Sequence, residues 1–213
     1  MTRRQIWTIV VLISGYILCQ LVADVAAVKI MDVWGLTMPA GTLIYAVTFT
    51  WRDVIDKRLG KEWARAAIVV AAVCNILMVL YFLFAIQLKP AVFWANQAAY
   101  KTVLGFTWRI ALASIAAEVV SELVDTELYH VIKRRLGENR QWGRVLGSNA
   151  ISCPLDSVVF ATLAFGGTIP LSGLWGIVKG QMLFKYAITL LSLPGIYVVK
   201  ERPLLRQPAY AAD

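Results

Sequence analysis

The sequence predicts an all-α integral membrane protein, a bundle of six transmembrane helices with both termini in the cytoplasm. Of its 213 residues, 59% are hydrophobic, and the mean hydropathy is +0.66. These values are typical of chains that place apolar surface in lipid. Six apolar stretches are separated by short polar links. Most Lys and Arg residues lie in those links, on one side of the membrane if the chain crosses it six times.

Each predicted span meets the length of about 20 mainly apolar residues that a transmembrane helix needs. The third is the most clearly apolar. The fourth is the most polar, and we keep it because its polar residues recur at helical spacing. No low-complexity segment or Gly/Ser-rich linker divides residues 1–213, which predicts a single six-span integral membrane domain. The spans lie at about 6–27, 36–54, 65–87, 103–128, 148–169 and 173–199.

The distribution of Lys and Arg sets the predicted orientation. With the N-terminus inside, fifteen of the 21 basic residues lie on the cytoplasmic side, three lie outside and three lie within spans. Cytoplasmic loops carry such an excess, so we expect a multi-pass protein of the cytoplasmic (inner) membrane. The net charge of +8 belongs to these links, and we therefore expect the lipid bilayer, and no nucleic acid, as a partner.

Polar residues inside the predicted spans recur at steps of three or four, which places them on single helix faces. A charge at the bilayer centre costs about 3 kcal/mol by insertion scales, so we expect these faces to border the bundle interior or a water-filled cavity. The stripes are Tyr16, Gln20 and Asp24 in span one; Ser114, Glu118, Glu122, Asp125 and Tyr129 in span four; Asn149, Ser152, Asp156 and Phe160 in span five; and Gln181, Lys185 and Thr189 in span six.

Spans four and five also share a short motif. VSELVDT (120–126) and ISCPLDS (151–157) both read aliphatic-Ser-x-x-aliphatic-Asp-Ser/Thr, and they run in opposite directions at similar depth in the inner half of the membrane. Inverted segments that meet in the membrane are a feature of transporters. Pro154 lacks an N–H and crowds the carbonyl of Ala150. We therefore predict a helix break there, with that carbonyl free for a ligand, a water or a neighbouring side chain.

Several of these polar residues allow a second interpretation. Asp24 is equally compatible with water at the outer interface, and Lys179 and Lys185 with simple neutralisation of the acidic stripe. Arg109 lies about half a turn from that stripe and is expected to serve another neighbour. A structural ion pair and a ligand or proton site both remain open for three carboxylates, Glu122, Asp125 and Asp156.

Two longer segments carry a resemblance to a known family. ALASIAAEVVSELVDTELYHVIKRR and GRVLGSNAISCPLDSVVFATLAFGG resemble the AS…VSQ…D and S…ISQ…D[ST]…F…AF helices of the queuosine-precursor transporter family, also called the VUT family. TWRDVIDKRLG is similar to that family's Asp-x-x-x-Glu/Asp-x-x-Gly helix ending. The resemblance covers most of residues 40–167. It implies a six-span fold and uptake of queuosine precursors, chiefly 7-cyano-7-deazaguanine.

The resemblance implies a deazapurine base as the small-molecule substrate. A deazaguanine presents N1–H and an exocyclic amine side by side, and one carboxylate can accept from both. We hypothesise that Asp156 or Asp125 does so, that Asn149 meets O6, and that Tyr129, Phe160 or Trp108 stacks on the ring. Ser121, Asp125, Ser152 and Asp156 match the family motif, whereas Glu122 and Cys153 stand where many members have Gln, and Pro154 replaces an aliphatic residue. The predicted substrate-binding residues are Asp156, Asp125, Glu122, Ser152, Ser121, Asn149, Glu118 and Gln20.

Two other functions compete with an independent transporter. An intramembrane lipid-linked group transferase would use paired acids to hold a metal, which Glu118, Glu122 and Asp125 could imitate. A substrate-binding subunit would depend on a separate ATP-driven motor, because the chain lacks a G-x-x-x-x-G-K-[ST] stretch. We predict a transporter and not an enzyme, with no cofactor or metal. Proton or ion coupling and an oligomer are both compatible with the sequence.

Overall fold

The computed structural model describes residues 2–136 and 141–198. They are mostly helical, as predicted, and the described elements include a short hairpin. The elements are α1 (Arg3–Ala26), β1 (Ile30–Val33), β2 (Leu36–Pro39), α2 (Gly41–Leu59), α3 (Lys61–Gln87), α4 (Gln97–Leu104), α5 (Thr107–Leu136), α6 (Gln141–Phe165) and α7 (Leu171–Val198).

Three of the described segments are long and apolar enough to cross a membrane, judged by length and composition. They are α1, residues Glu62–Gln87 of α3, and Gln97–Ser121, which joins α4 to the first half of α5. A shorter apolar segment, Ala150–Phe165, lies in α6. A helical membrane protein is consistent with this pattern, while six spans and the sidedness of the termini stay predictions.

The distribution of side-chain size also fits a bundle in lipid. More than half of the buried apolar side chains that the structure describes are alanines, among them Ala71 and Ala161. Many large apolar side chains face outward instead; Val69 is 61% exposed and Leu80 is 57% exposed. Small residues at helix interfaces let backbones approach closely where the surrounding solvent is apolar. Small residues therefore form much of the contact between the helices, beside larger buried side chains such as Ile110 and Phe165, and many other bulky residues form the outer surface.

The hairpin corrects the prediction for span two and the all-α fold class. Residues 36–39 form β2, so the helix predicted over 36–54 begins at Gly41 and continues to Leu59. Trp34 and Gly35 both have positive φ, 53° and 79°, which is the two-residue turn that matches the twist of paired strands. Because β2 is as apolar as the following helix, its hydropathy did not distinguish a strand from a helix.

The hairpin folds back into the bundle and packs through β2 against α7. Met38 is only 1% exposed. A Cβ added to Gly180 of α7 would overlap the backbone oxygen of Thr37, so the two backbones touch at this point. Gly41 comes equally close to the carbonyl of Ala23 in α1. Glycine is required where backbones approach this closely, so β2 is held against α7 and the start of α2 against α1.

Helices α5 and α6 are antiparallel, as the paired motifs predict. Arg109, near the start of α5, reaches Leu163 and Gly166 at the end of α6. Further along α5, Ser121 reaches Asp156, which lies earlier on α6. The described part of the chain has no more extensive interface between two elements than this one. Ser121 of the first motif and Asp156 of the second are thus neighbours.

The predicted helix break at Pro154 is wrong, because α6 runs through this residue without interruption. A proline in a helix interior removes one backbone hydrogen bond, and neighbouring helices can satisfy the carbonyl that is left over. Here the Tyr186 hydroxyl of α7 donates to the Ala150 carbonyl at 3.0 Å. Of the three partners predicted for this carbonyl, a ligand, a water or a neighbouring side chain, the structure shows the side chain.

Arg109 binds the end of α6, which confirms the prediction that it contacts a neighbour other than the acidic stripe. Its Nε donates to the Leu163 carbonyl at 3.2 Å and its Nη2 to the Gly166 carbonyl at 2.7 Å. The guanidinium carbon also lies 5.9 Å from the centre of the Phe106 ring. The last carbonyls of a helix have no partner within it, and a cation at that end also complements the helix dipole. Arg109 thus fixes the end of α6 to the start of α5.

We expect Arg109→Met to lower the free energy of unfolding by about 2–3 kcal/mol, because two charge-assisted hydrogen bonds are lost. Arg109→Lys should be intermediate, since an ammonium keeps the charge but cannot bind both carbonyls as a fork. The thermal midpoint in detergent measures the change. Arg65→Met is the matched control: Arg65 is 62% exposed and pairs only with Glu62 on the surface, so its loss should cost little. Equal midpoints for all variants would contradict the capping role.

Candidate functional site

A polar cavity lies among α1, α2, α5, α6 and α7, with Pro39 of the hairpin in its wall. The centres of water molecules placed in the cavity can occupy a volume of about 30 Å³. All the space between the lining atoms, including the open side of the cavity, is about 380 Å³. The smaller volume is room for roughly two waters, so this conformation is nearly closed. The polar residues of the lining are Asp24, Thr42, Tyr45, Ser114, Asp156, Gln181 and Lys185.

A buried ion pair lies on one side of this cavity. The Lys185 ammonium of α7 donates to Oδ2 of Asp156 on α6, and the two side chains are only 4% and 9% exposed. Ser121 of α5 lies 3.4 Å from the other carboxylate oxygen, Oδ1. The Lys185 nitrogen also lies 5.5 Å from the centre of the Tyr45 ring. One charge pair, with its hydrogen bonds, therefore ties four helices together at the cavity.

A second polar group links α1 to α5 beside the cavity. The Tyr16 hydroxyl donates to Oε1 of Glu118 at 3.5 Å, which is a long hydrogen bond. Gln20 donates from Nε2 to the Tyr16 oxygen at 3.0 Å. Tyr16 is 2% exposed and Gln20 is 4% exposed. The polar stripe of α1 therefore faces the acidic stripe of α5 inside the bundle, as predicted for intramembrane polar residues.

Asp24 is buried inside the bundle, so the alternative that it lies in water at the outer interface is wrong. It is 3% exposed, and Ser114 of α5 lines the same cavity. Oδ2 of Asp24 is one of four buried side-chain atoms that have no hydrogen-bond partner among the residues described; another is Oε1 of Gln181. Both residues line the cavity. Two acceptor oxygens at this cavity are therefore unsatisfied by the protein.

The predicted binding residues occupy different places relative to the cavity. Asp156 lines it, and Ser121 contacts Asp156. Glu118 and Gln20 belong to the adjacent hydrogen-bonded group and are not part of the lining, and Ser152 is buried on α6 outside it. The remaining predicted side chains lie outside the described residues: Glu122, Asp125 and Asn149.

Some lining residues were absent from the predicted set. Asp24, Ser114, Gln181 and Lys185 belonged to the polar stripes, but only Gln20 was selected from the stripes of spans one and six. Thr42 and Tyr45 were missed altogether, although Thr42, Tyr45 and Thr48 recur every three residues on α2. That spacing was the signal that would have found them. The hairpin residue Pro39 had no such signal, because the hairpin itself was not predicted.

Of the other aromatic and basic residues considered from the sequence, some line the cavity and others do not. Phe160 lines the cavity. Trp108 is 42% exposed and takes no part in the lining, and Lys179 is exposed on α7. The side chain of Tyr129 lies outside the described residues. Among the side chains that the structure describes, no group of three His, Cys, Asp or Glu residues is placed to hold a metal ion.

These features define a helical membrane protein with a polar, nearly closed cavity inside its bundle. The chain belongs to the family described as "Putative vitamin uptake transporter", whose model matches residues 39–199. It is also 31% identical over 180 residues to the "Probable queuosine precursor transporter" of Bacillus subtilis (strain 168), a match that covers 84% of this chain and 79% of that protein. No solved structure matches the chain.

Proposed function

We propose that the protein imports a queuosine precursor, 7-cyano-7-deazaguanine or a related deazapurine, across the cytoplasmic membrane. The likeness to a relative that carries this name supports the substrate class. The observation that carries the proposal is the cavity between the helices, where Asp156, Lys185 and Gln181 lie beside Phe160. A flat base needs polar groups for its edge and an apolar wall for its face.

The donor and acceptor pattern of the base fits this lining. A deazaguanine offers N–H donors at N1, at the exocyclic amine and in its five-membered ring, whereas carboxylate and amide oxygens accept hydrogen bonds. The proposed contacts are the carboxylates of α5 and α6, with Asp156 at the cavity and Glu122 and Asp125 further along α5. Ser152, Asn149, Ser121, Glu118 and Gln20 complete the proposed set.

The volume of the cavity implies that the bundle must open to admit such a solute. Space for roughly two water molecules is too small for a bicyclic base. Transporters alternate between states by moving groups of helices around a fixed central site. The described conformation is then a closed state of the cycle, in which the hairpin and the Lys185–Asp156 pair hold the helices together.

We expect the purified protein, reconstituted alone in liposomes, to take up radiolabelled 7-cyano-7-deazaguanine with saturable kinetics. Uptake should be competed by unlabelled 7-deazaguanine and not by an equal excess of thymine, because thymine lacks the amine beside a ring N–H. Comparing liposomes with and without an imposed pH gradient measures proton coupling. Protein-free liposomes are the control. Uptake that appears only with an added ATP-driven partner would assign the chain as a binding subunit, and no binding or uptake of any deazapurine would overturn the proposal.

A further inference from the structure

Two oxygens at the cavity lack a hydrogen-bond donor, and they indicate a ligand contact separate from Asp156, which is paired with Lys185. Oδ2 of Asp156 already accepts from Lys185, and Oδ1 lies 3.4 Å from the Ser121 hydroxyl, which is also 3.1 Å from the Glu118 carbonyl. In contrast, Oδ2 of Asp24 and Oε1 of Gln181 have no hydrogen-bond partner among the described residues, although each residue is only 3% exposed. Both residues line the same cavity. A carboxylate oxygen and an amide oxygen at this cavity therefore lack a donor among the described residues.

Such an arrangement is costly unless a ligand completes it. A buried acceptor without a donor destabilises the fold, and more so when it carries charge. An amide oxygen and an ionised carboxylate oxygen accept hydrogen bonds, so an occupant that brings two donors would satisfy both. We propose that Asp24 and Gln181 form a donor-reading site, in which Oδ2 of Asp24 and Oε1 of Gln181 accept from the ring N–H and the exocyclic amine of a 2-amino lactam base.

The surroundings favour a neutral base with N–H donors over a free cation. The lining of this cavity also includes apolar and small side chains, among them Ala23, Ala117 and Phe160. A hydrated cation would need several oxygen ligands, whereas a flat base needs few polar contacts and an apolar wall. Ser114 of α5 and Thr42 of α2 also line this cavity and bring hydroxyl groups to it. The site therefore selects by donor pattern, since a base without the amine leaves an acceptor unpaired.

This inference rests on the proposed uptake of a deazapurine and adds the residues that would select it. Sites that hydrogen-bond a substrate N–H discriminate strongly against analogues that lack it, because buried groups are left unpaired. We therefore expect the wild-type protein to prefer 7-deazaguanine over 7-deazahypoxanthine, which lacks only the exocyclic amine, by about 10-fold or more in competition. Asp24→Asn places an amide donor against the ring N–H or the amine, so its preference should fall to about 3-fold or less.

The experiment measures competition by both bases against labelled uptake in liposomes, and the thermal midpoint in detergent. Asp32→Asn is the matched control, because Asp32 is exposed at the hairpin turn and should leave the preference unchanged. Asp24→Asn should keep or raise the midpoint of the empty protein, since it removes an unpaired buried charge; a purely structural carboxylate would lower it. If Asp24→Asn does not fold, Gln181→Met removes the second oxygen at nearly constant volume and should reduce the preference as well.

The possible outcomes separate this inference from the proposed function. Uptake with an unchanged preference in both Asp24→Asn and Gln181→Met would overturn the donor-reading site, and would mean that water alone satisfies the two oxygens. The proposed transport would then stand. A wild-type protein that neither binds nor takes up either base would overturn both. A preference lost in the two variants and kept in Asp32→Asn supports the assignment of the site.

Discussion

Lys185→Met is expected to lower the free energy of unfolding by about 3–5 kcal/mol, because it leaves the Asp156 carboxylate buried without its cation. Both partners are almost fully enclosed, so water cannot replace the lost ammonium. Methionine has nearly the length of lysine and preserves the packing. Uptake of the deazapurine should fall to background, since the charge pair also joins α6 and α7 at the cavity. Thermal denaturation in detergent and uptake in liposomes measure the two effects.

A double variant separates stability from transport. Asp156→Asn alone leaves the Lys185 ammonium unpaired and should also be destabilising, whereas Asp156→Asn with Lys185→Met removes both charges. Replacing a whole buried pair by neutral residues is often neutral or stabilising, so we expect the double variant to regain most of the lost stability and remain inactive. Additive losses in the double variant would show that the two side chains do not interact. Normal uptake by a stable double variant would exclude the pair from transport.

The sequence was most informative where chemistry alone demands burial. Carboxylates and amides within apolar stretches cannot face lipid, and the described stripe residues Gln20, Asp24, Glu118 and Asp156 do lie inside the bundle. Helical spacing then decided which of them share a face. The contact between Ser121 and Asp156 follows from the paired motifs for the same reason. Polarity and periodicity together were therefore enough to predict that α1, α5, α6 and α7 enclose polar residues.

The sequence was least informative where the answer depends on which neighbour a group meets. The stripes placed Lys185 and Asp24 on inward faces, but spacing within one helix cannot tell which helices are adjacent. Only the packing shows that Lys185 neutralises Asp156 while Asp24 keeps an unpaired oxygen. The hairpin was missed because hydropathy averages over a turn. Its local signal was the dipeptide Trp34–Gly35 at the turn. Its second signal was Gly180, whose importance depends on a contact with Thr37, 143 positions away in the sequence.

Gly180→Ala is expected to displace the hairpin and reduce uptake by about 10-fold or more. An added Cβ would overlap the backbone oxygen of Thr37, and a backbone atom cannot move aside by changing a rotamer, so β2 must shift away from α7. Inserting even one methyl group into a well-packed contact costs about 1–3 kcal/mol. Because Pro39 at the end of β2 lines the cavity, the shift would open the wall that closes around the solute, and sites held about 1 Å out of place lose much of their activity.

Two neighbouring glycines on α7 provide matched controls for this effect. A Cβ on Gly176 would lie 3.6 Å from Cβ of the same residue, Thr37, and a Cβ on Gly173 would lie 3.7 Å from Cδ1 of Ile169. Both are ordinary van der Waals contacts, and alanine is the better helix former by about 1 kcal/mol, so Gly176→Ala and Gly173→Ala should keep uptake and stability. If all three variants lose uptake equally, helix flexibility and not the hairpin contact controls transport. If Gly180→Ala alone is impaired, the seating of the hairpin against α7 is a condition for closing the cavity.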